Sequence, residues 1–227
     1  LAVAALLVGS CTHFGAGSGR TVKGDGACAV VDSVLAASGL RAEIEMRGRA
    51  TIDVNQYRVR GRFELAITPD GDLTFDITST TLLGGHREDA VLSFYADTLR
   101  VLDRERGRFY EGEAVDGLVM DGTGVALDLG QLLRHATART PACRRIGEVR
   151  RRDRGEEGFE LTGLFDEREF ELRLERSRLA FSAWPLPGVE DWRNDRVETT
   201  YTWVGDRLAR VVIAVPDRRW RVKLVSE

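Results

Sequence analysis

Three histidines and three cysteines are the side chains best suited here to nucleophilic or metal chemistry, and their spacing supports neither. His13 lies in a glycine-rich stretch, and His86 and His135 belong to no recognisable serine or cysteine motif. Metal ligands come at short, regular spacings, whereas Cys28 and Cys143 stand far apart and the histidines are scattered. No Gly-x-Ser-x-Gly elbow and no Gly-x-x-x-x-Gly-Lys loop occurs. The run Gly15-Ala16-Gly17-Ser18-Gly19 is no dinucleotide loop, because no strand pattern precedes it and no helix pattern starts on it. Carboxylate pairs exist at Glu156-Glu157 and Asp166-Glu167, but they alternate with arginines as solvated strand faces do. The expectation is a protein that is not an enzyme and holds no metal or cofactor.

Cys11 has a different chemistry in prospect. Leu1 to Val8 reads LAVAALLV and is followed by Gly9, Ser10 and Cys11. An apolar run ending in small residues is the shape of a secretory signal and its cleavage site, here read as truncated at its front. Val8-Gly9-Ser10-Cys11 resembles a bacterial lipobox, which implies a diacylglycerol on the Cys11 thiol and a further acyl chain, such as palmitate, on its amine. Several chains make such an anchor stable, since each buried CH₂ contributes about 0.8 kcal/mol. Thr12, rather than Asp, follows the cysteine and points to the outer membrane. The expected organisation is a signal peptide over 1–10, a Gly-rich tether over 11–26 and one domain over 27–227. In an oxidising compartment Cys28 and Cys143 can pair; two buried free thiols are the alternative.

The elements that must position any site are legible from composition and period. The chain has 227 residues, 43% hydrophobic and 30% charged, with 33 basic against 36 acidic side chains. That composition excludes a disordered chain and permits one well-buried core. No apolar run reaches the roughly 18 residues that a spanning helix needs. Lys23 and Lys223 are the only lysines, and the many arginines are intermixed with acids, which argues against nucleic-acid binding.

A helix is expected over Ala27–Ser38, stopped by Gly39. The period then changes to two. Ile44, Met46, Gly48, Ala50, Ile52 and Val54 alternate with charged or hydroxyl side chains; Phe63, Leu65 and Ile67 continue the pattern, as do Leu73, Phe75 and Ile77. Strands with one dry and one wet face belong to antiparallel sheets. More are expected at Glu88–Ala96, Thr98–Asp103, Arg108–Glu111, Ile146–Arg152, Gly158–Phe165, Glu169–Leu174, Arg178–Ala183, Val197–Val204, Leu208–Val215 and Trp220–Val225. A second helix is expected over Leu127–Ala138. A long sheet with one oily face must curl over something. The fold class is mainly β (α+β): one curled antiparallel sheet forming an unclosed half-barrel of about 11 strands, covered by two or three lid helices.

Several motifs in order resemble the LolA/LolB-like superfamily of lipoprotein-sorting proteins. Met46-Arg47-Gly48-Arg49-Ala50 is similar to its opening strand. Thr78–Gly117 follows its order of strand, Leu-Gly turn, strand, hairpin and a Gly-x-x-Tyr strand, here Gly107-Arg108-Phe109-Tyr110. The match covers Arg41 to Arg139 well and the C-terminal strands by pattern only. The resemblance implies a half-barrel whose cavity holds acyl chains, lined here by Ile44, Met46, Ile52, Phe63, Leu65, Phe75, Ile77, Leu92 and Phe94. It also implies a loop leucine that enters a bilayer surface, placed here at Leu83 with Leu82 beside it.

The expected function is therefore that of an outer-membrane-anchored lipoprotein, facing the periplasm. It binds acyl chains and acts, chaperone-like, in lipoprotein localisation, protein transport or amphiphile transfer. Its partners would be outer-membrane lipid and a LolA-like periplasmic carrier or client lipoproteins, with the protein itself a monomer. The alternative is an anchored accessory or scaffold lipoprotein of an envelope or polysaccharide-export complex, with a filled core and no ligand.

Overall fold

The computed structural model describes residues 21–40, 43–54, 57–68, 73–81, 90–95, 98–103, 107–113, 118–119, 126–127, 145–155, 158–185, 196–216 and 220–227. Alternation of apolar and charged residues produces two antiparallel meanders. The first comprises β2 (Ile44–Val54), β3 (Tyr57–Ile67), β4 (Leu73–Thr81), β5 (Ala90–Tyr95), β6 (Thr98–Asp103) and β7 (Arg108–Glu113). The second comprises β10 (Ile146–Asp153), β11 (Gly158–Phe165), β12 (Arg168–Glu175), β13 (Arg178–Pro185), β14 (Arg196–Val204), β15 (Arg207–Val215) and β16 (Trp220–Ser226). They join where β16 pairs with β2, from Trp220 opposite Val54 to Ser226 opposite Gly48. A three-residue strand β1 (Thr21–Lys23) adds to β10. The result is a 14-stranded sheet with β1 at one edge and β7 at the other, an unclosed half-barrel. β8 (Leu118–Val119) and β9 (Ala126–Leu127) form a separate pair.

One helix lies among the described residues, α1 (Asp25–Ala37). Its buried positions Ala27, Val31 and Leu35 fall at i, i+4 and i+8, a single stripe. The stripe packs on β10 and β1. The helix starts beside β10, where Gly24 N–H donates to Gly147 O at 3.0 Å. It ends beside the β12–β13 turn, because Gly39 abuts Arg178. Ser38 closes it, donating to Leu35 O at 2.7 Å and accepting the Leu40 N–H at 3.4 Å. The side of the sheet carrying α1 is the inner, concave face; the arginine- and glutamate-rich side is the convex one.

The unclosed half-barrel is of the expected class, and among the described residues its sheet counts fourteen strands, the thirteen read from alternation plus β1. Two expectations change. The tether over 11–26 is too long at its end: Thr21–Lys23 is strand and the helix begins at Asp25, so a local glycine content gave way to pairing with β10. Leu127 belongs to strand β9 rather than a helix; the remainder of Leu127–Ala138 lies outside the described residues. The strand bounds otherwise shift by a few residues at most.

Gly48 shows why a strand interior carries glycine here. A Cβ at that position would strike the Val225 carbonyl and approach Glu227 N to 3.0 Å. The chain after β16 crosses there, with Glu227 N–H donating to Arg47 O at 3.0 Å. Close backbone approach of this kind excludes a side chain.

Candidate apolar binding face and its polar file

Register decides which side chains share the concave face. Ile44 lies opposite Ile67, Met46 opposite Leu65 and Gly48 opposite Phe63. Leu65 in turn lies opposite Phe75, and Phe63 opposite Ile77. Ile44, Met46, Phe63, Leu65, Phe75 and Ile77 are all buried, and Ile52 is half-buried against the same cluster. Phe63 and Phe75 rings lie 6.2 Å apart. Leu92 pairs with Ile77 and Phe94 with Phe75, which places both at concave-face positions. Seven of the nine expected lining residues thus form one apolar wall across β2, β3 and β4, and the backbone of the other two continues it. Burying each such side chain contributes about 1.5–3 kcal/mol.

The wall continues into the second meander with aromatic residues. Trp184 stacks on Phe170, ring centroids 4.7 Å apart, and meets Phe165 edge-on at 5.8 Å. Phe170 lies over Gly163, whose missing Cβ makes room for the ring. Trp184 is therefore a core residue at the end of β13.

Polar side chains interrupt this face in few places. Arg151, the middle of the run Arg150-Arg151-Arg152, occupies a concave-side position opposite Leu161. Its guanidinium lies 4.2 Å from the Phe159 centroid and 2.8 Å from Asp153 Oδ1. Arg150 and Arg152, on the other face, are exposed. Deeper, Ser182 and Thr199 face each other across β13 and β14, with Tyr201 two residues on. Ser182 Oγ and Tyr201 Oη share a hydrogen bond of 3.1 Å. Burial pushes the Tyr201 phenol far above its usual 10.0, the Ser182 and Thr199 hydroxyls drawing it partly back, so it stays a neutral O–H. The sequence pattern did not single out this file, because Ser and Thr also populate wet faces. Its signal was hydroxyls at dry positions on two strands, Ser182 two residues before Trp184 and Thr199 two residues before Tyr201.

β13 and β14 separate at one end. Their pairing runs from Pro185–Arg196 to Phe181–Thr200 and stops, although both strands continue. The Trp203 indole enters the gap, its Nε1–H donating to Leu179 O at 2.8 Å. Arg178 lies over the same indole, 5.1 Å from its ring centre, and pairs with Asp206. The separation leaves a cleft of about 830 Å³ with Ala180, Tyr201 and Trp203 on its walls and Glu175, Arg176, Arg178 and Asp206 around it.

Other expected site residues fall elsewhere. Cys11, Leu82, Leu83 and Cys143 lie outside the described residues, as do His13, His86 and His135. In the sequence, Leu82 and Leu83 lie between β4 and β5. Cys28 is in the first turn of α1 and is disulfide-bonded. Among the described residues, no group of three or more His, Cys, Asp or Glu could hold a metal ion. No described helix is long and apolar enough to cross a membrane.

No family model matches the chain, and no curated protein does. Solved structures to which the chain is similar include two from bacteria. One, a domain from Vibrio parahaemolyticus assigned to outer membrane lipoprotein sorting, is 8% identical with a TM-score of 0.43, over 88% of this chain and 90% of that one. The other, a DUF1329 family protein from Desulfovibrio piger, is 7% identical with a TM-score of 0.40, over 88% of this chain and 91% of that one. Neither likeness carries a functional residue across.

Proposed function

We propose that this protein is a lipid-anchored envelope protein whose concave face holds acyl chains, serving lipoprotein localisation or the transfer of another amphiphile at the outer membrane. One observation carries this reading. The apolar wall of β2, β3 and β4 lies on the side of the sheet where, among the described residues, the only helix packs on β10 and β1 instead. That wall is buried within an open half-barrel, and a continuous apolar lining of this kind suits hydrocarbon, which needs area and no directional partner. Anchoring through acylated Cys11 would hold that face near its source of lipid, and Leu82-Leu83 would dip into the bilayer surface. A LolA-like carrier or client lipoproteins would supply the cargo.

The test is native mass spectrometry of protein released gently from envelopes, followed by titration of delipidated Cys11→Ser protein with a fluorescent fatty acyl chain. Copurifying lipid and saturable uptake are expected. Absence of both would overturn the reading and favour the scaffold alternative, for which the observed continuity of one buried cluster across both meanders speaks. Separately, Leu83→Glu is expected to slow acyl-chain or lipoprotein delivery to vesicles while leaving uptake in solution unchanged. Unchanged delivery would remove that residue from the site.

A further inference from the structure

Three polar residues are buried among those described, and one of them is accounted for by the α1 terminus, which Ser38 caps. The other two, Ser182 and Thr199, face each other on the concave side, both 0% exposed. Ser182 is bonded to Tyr201. Thr199 Oγ1 lies close enough to that phenol to lower its pKa but has no hydrogen bond of normal geometry. Two residues from Ser182 on the same strand face, Trp184 Nε1 is also buried without an acceptor. Buried donors are almost always satisfied. Two orphans within one stretch of an apolar wall therefore call for an acceptor that enters from outside the chain.

The place also has a way in. Tyr201, the end of the hydroxyl file, lines the cleft left where β13 and β14 separate. The cationic groups sit at the mouth of that cleft, where Arg178 pairs with Asp206, not along the file itself. A free carboxylate seated on the file would leave water without a counter-charge, at high cost. A neutral carbonyl asks only for one or two O–H or N–H donors, which the file provides.

We propose that Ser182, Thr199 and Tyr201 form a seat for the carbonyl of an acyl ester or amide, its hydrocarbon lying along the apolar wall and its polar head in the β13–β14 cleft. This rests on the reading that acyl chains occupy the concave face and adds to it a ligand class: linked acyl chains rather than free fatty acids. Among the seat's hydroxyls, Thr199 is the donor left over for the ligand.

The experiment compares two single-chain phospholipids that differ in one group. Delipidated Cys11→Ser protein is titrated calorimetrically, below the micelle concentration, with palmitoyl lysophosphatidylcholine and with its hexadecyl ether isostere, which lacks the carbonyl. The ester is expected to bind at least about fivefold tighter, the effect of one net hydrogen bond. Thr199→Val is expected to abolish that preference by weakening the ester alone, and Ser182→Ala to reduce it. Equal affinities for ester and ether in the unmutated protein would overturn the seat while leaving acyl binding intact, and so would palmitate binding as tightly as the ester. If neither phospholipid nor the fatty acid binds, both the seat and the acyl-binding reading fall. The comparison within the unmutated protein decides the matter even if a variant does not fold.

Discussion

The Trp184 indole and the Phe170 ring are parallel within 8°, with 4.7 Å between centroids, and Phe170 rests in turn on the bare Cα of Gly163. The stack ties β11, β12 and β13 together on the concave side through rings rather than through branched aliphatics. Offset stacking of this kind adds about 0.5–1.5 kcal/mol beyond burial.

Gly163→Ala should therefore be costly. Its Cβ would meet the Glu148 carbonyl and come within 2.6 Å of Phe170 Cε1. A loss of about 1–3 kcal/mol is expected from overpacking. Chemical denaturation would measure it, and the near-ultraviolet circular dichroism of Trp184 should weaken with it. A variant as stable as the original would show that the ring is not confined by this glycine.

Tyr201 gives the fold an alkaline limit. Its phenol titrates far higher in the folded chain than the 10.0 of an exposed tyrosine. Above pH 10 the unfolded chain therefore holds fewer protons than the folded one, so stability falls as pH rises. At and below neutral pH the group contributes no slope. The expected slope is about 1.4 kcal/mol per pH unit above pH 10. Tyr201→Phe should remove it in urea melts between pH 9 and 12, at some loss of stability at every pH from the missing bond to Ser182. An unchanged slope would locate the alkaline sensitivity elsewhere.

At the mouth of the cleft, two neighbouring changes should behave oppositely. Asp206 is 94% exposed and its pair with Arg178 is a surface ion pair, so Asp206→Ala should leave the thermal midpoint within error of the original. Trp203→Phe removes the donor to Leu179 O that spans the separated strands, and should cost about 1–3 kcal/mol. Hydrogen exchange at Leu179 and Ala180 would report the local opening.

For the disulfide, the expected partner of Cys28 is Cys143. The start of α1 is bound to β10 at Gly147, and Cys143 precedes that strand by three residues. Non-reducing peptide mapping should recover a peptide pair containing both. Cys28→Ala is expected to lower stability by about 2–4 kcal/mol. Recovery of Cys28 with Cys11 would refute the pairing.

Much of the fold was legible because alternation is a strong signal. Ile44, Met46, Phe63, Leu65, Phe75 and Ile77 declare their dry face by alternation, and the structure buries them. What alternation does not carry is which strand lies beside which. The β16–β2 joint links residues distant in sequence, and nothing in Trp220–Ser226 alone names Ile44–Val54 as its neighbour. Bulges are equally silent: the register shift at Arg173–Leu174 leaves Ala180 extra on β13, just where β13 leaves β14. The hydroxyl file was missed for a chemical reason, since Thr199 on a dry face and Thr200 on a wet one look alike in a sequence. Three consecutive arginines look like one patch in a sequence, whereas a strand points the middle one, Arg151, to the other face.

The joint between the meanders also has a consequence in time. Arg49 and Glu227 meet there, 2.8 Å apart across a sequence separation of 178 residues. Contacts so distant along the chain form slowly, because a long loop must close before they stabilise anything. During synthesis, the strand edge of β2 stays bare until Trp220–Ser226 has been made. A chain lacking that strand would hold two half-sheets with bare edges at β15 and β2, a sticky seam open to edge-to-edge pairing. Trp220–Ser226 thus has to arrive before either half-sheet is protected along its seam.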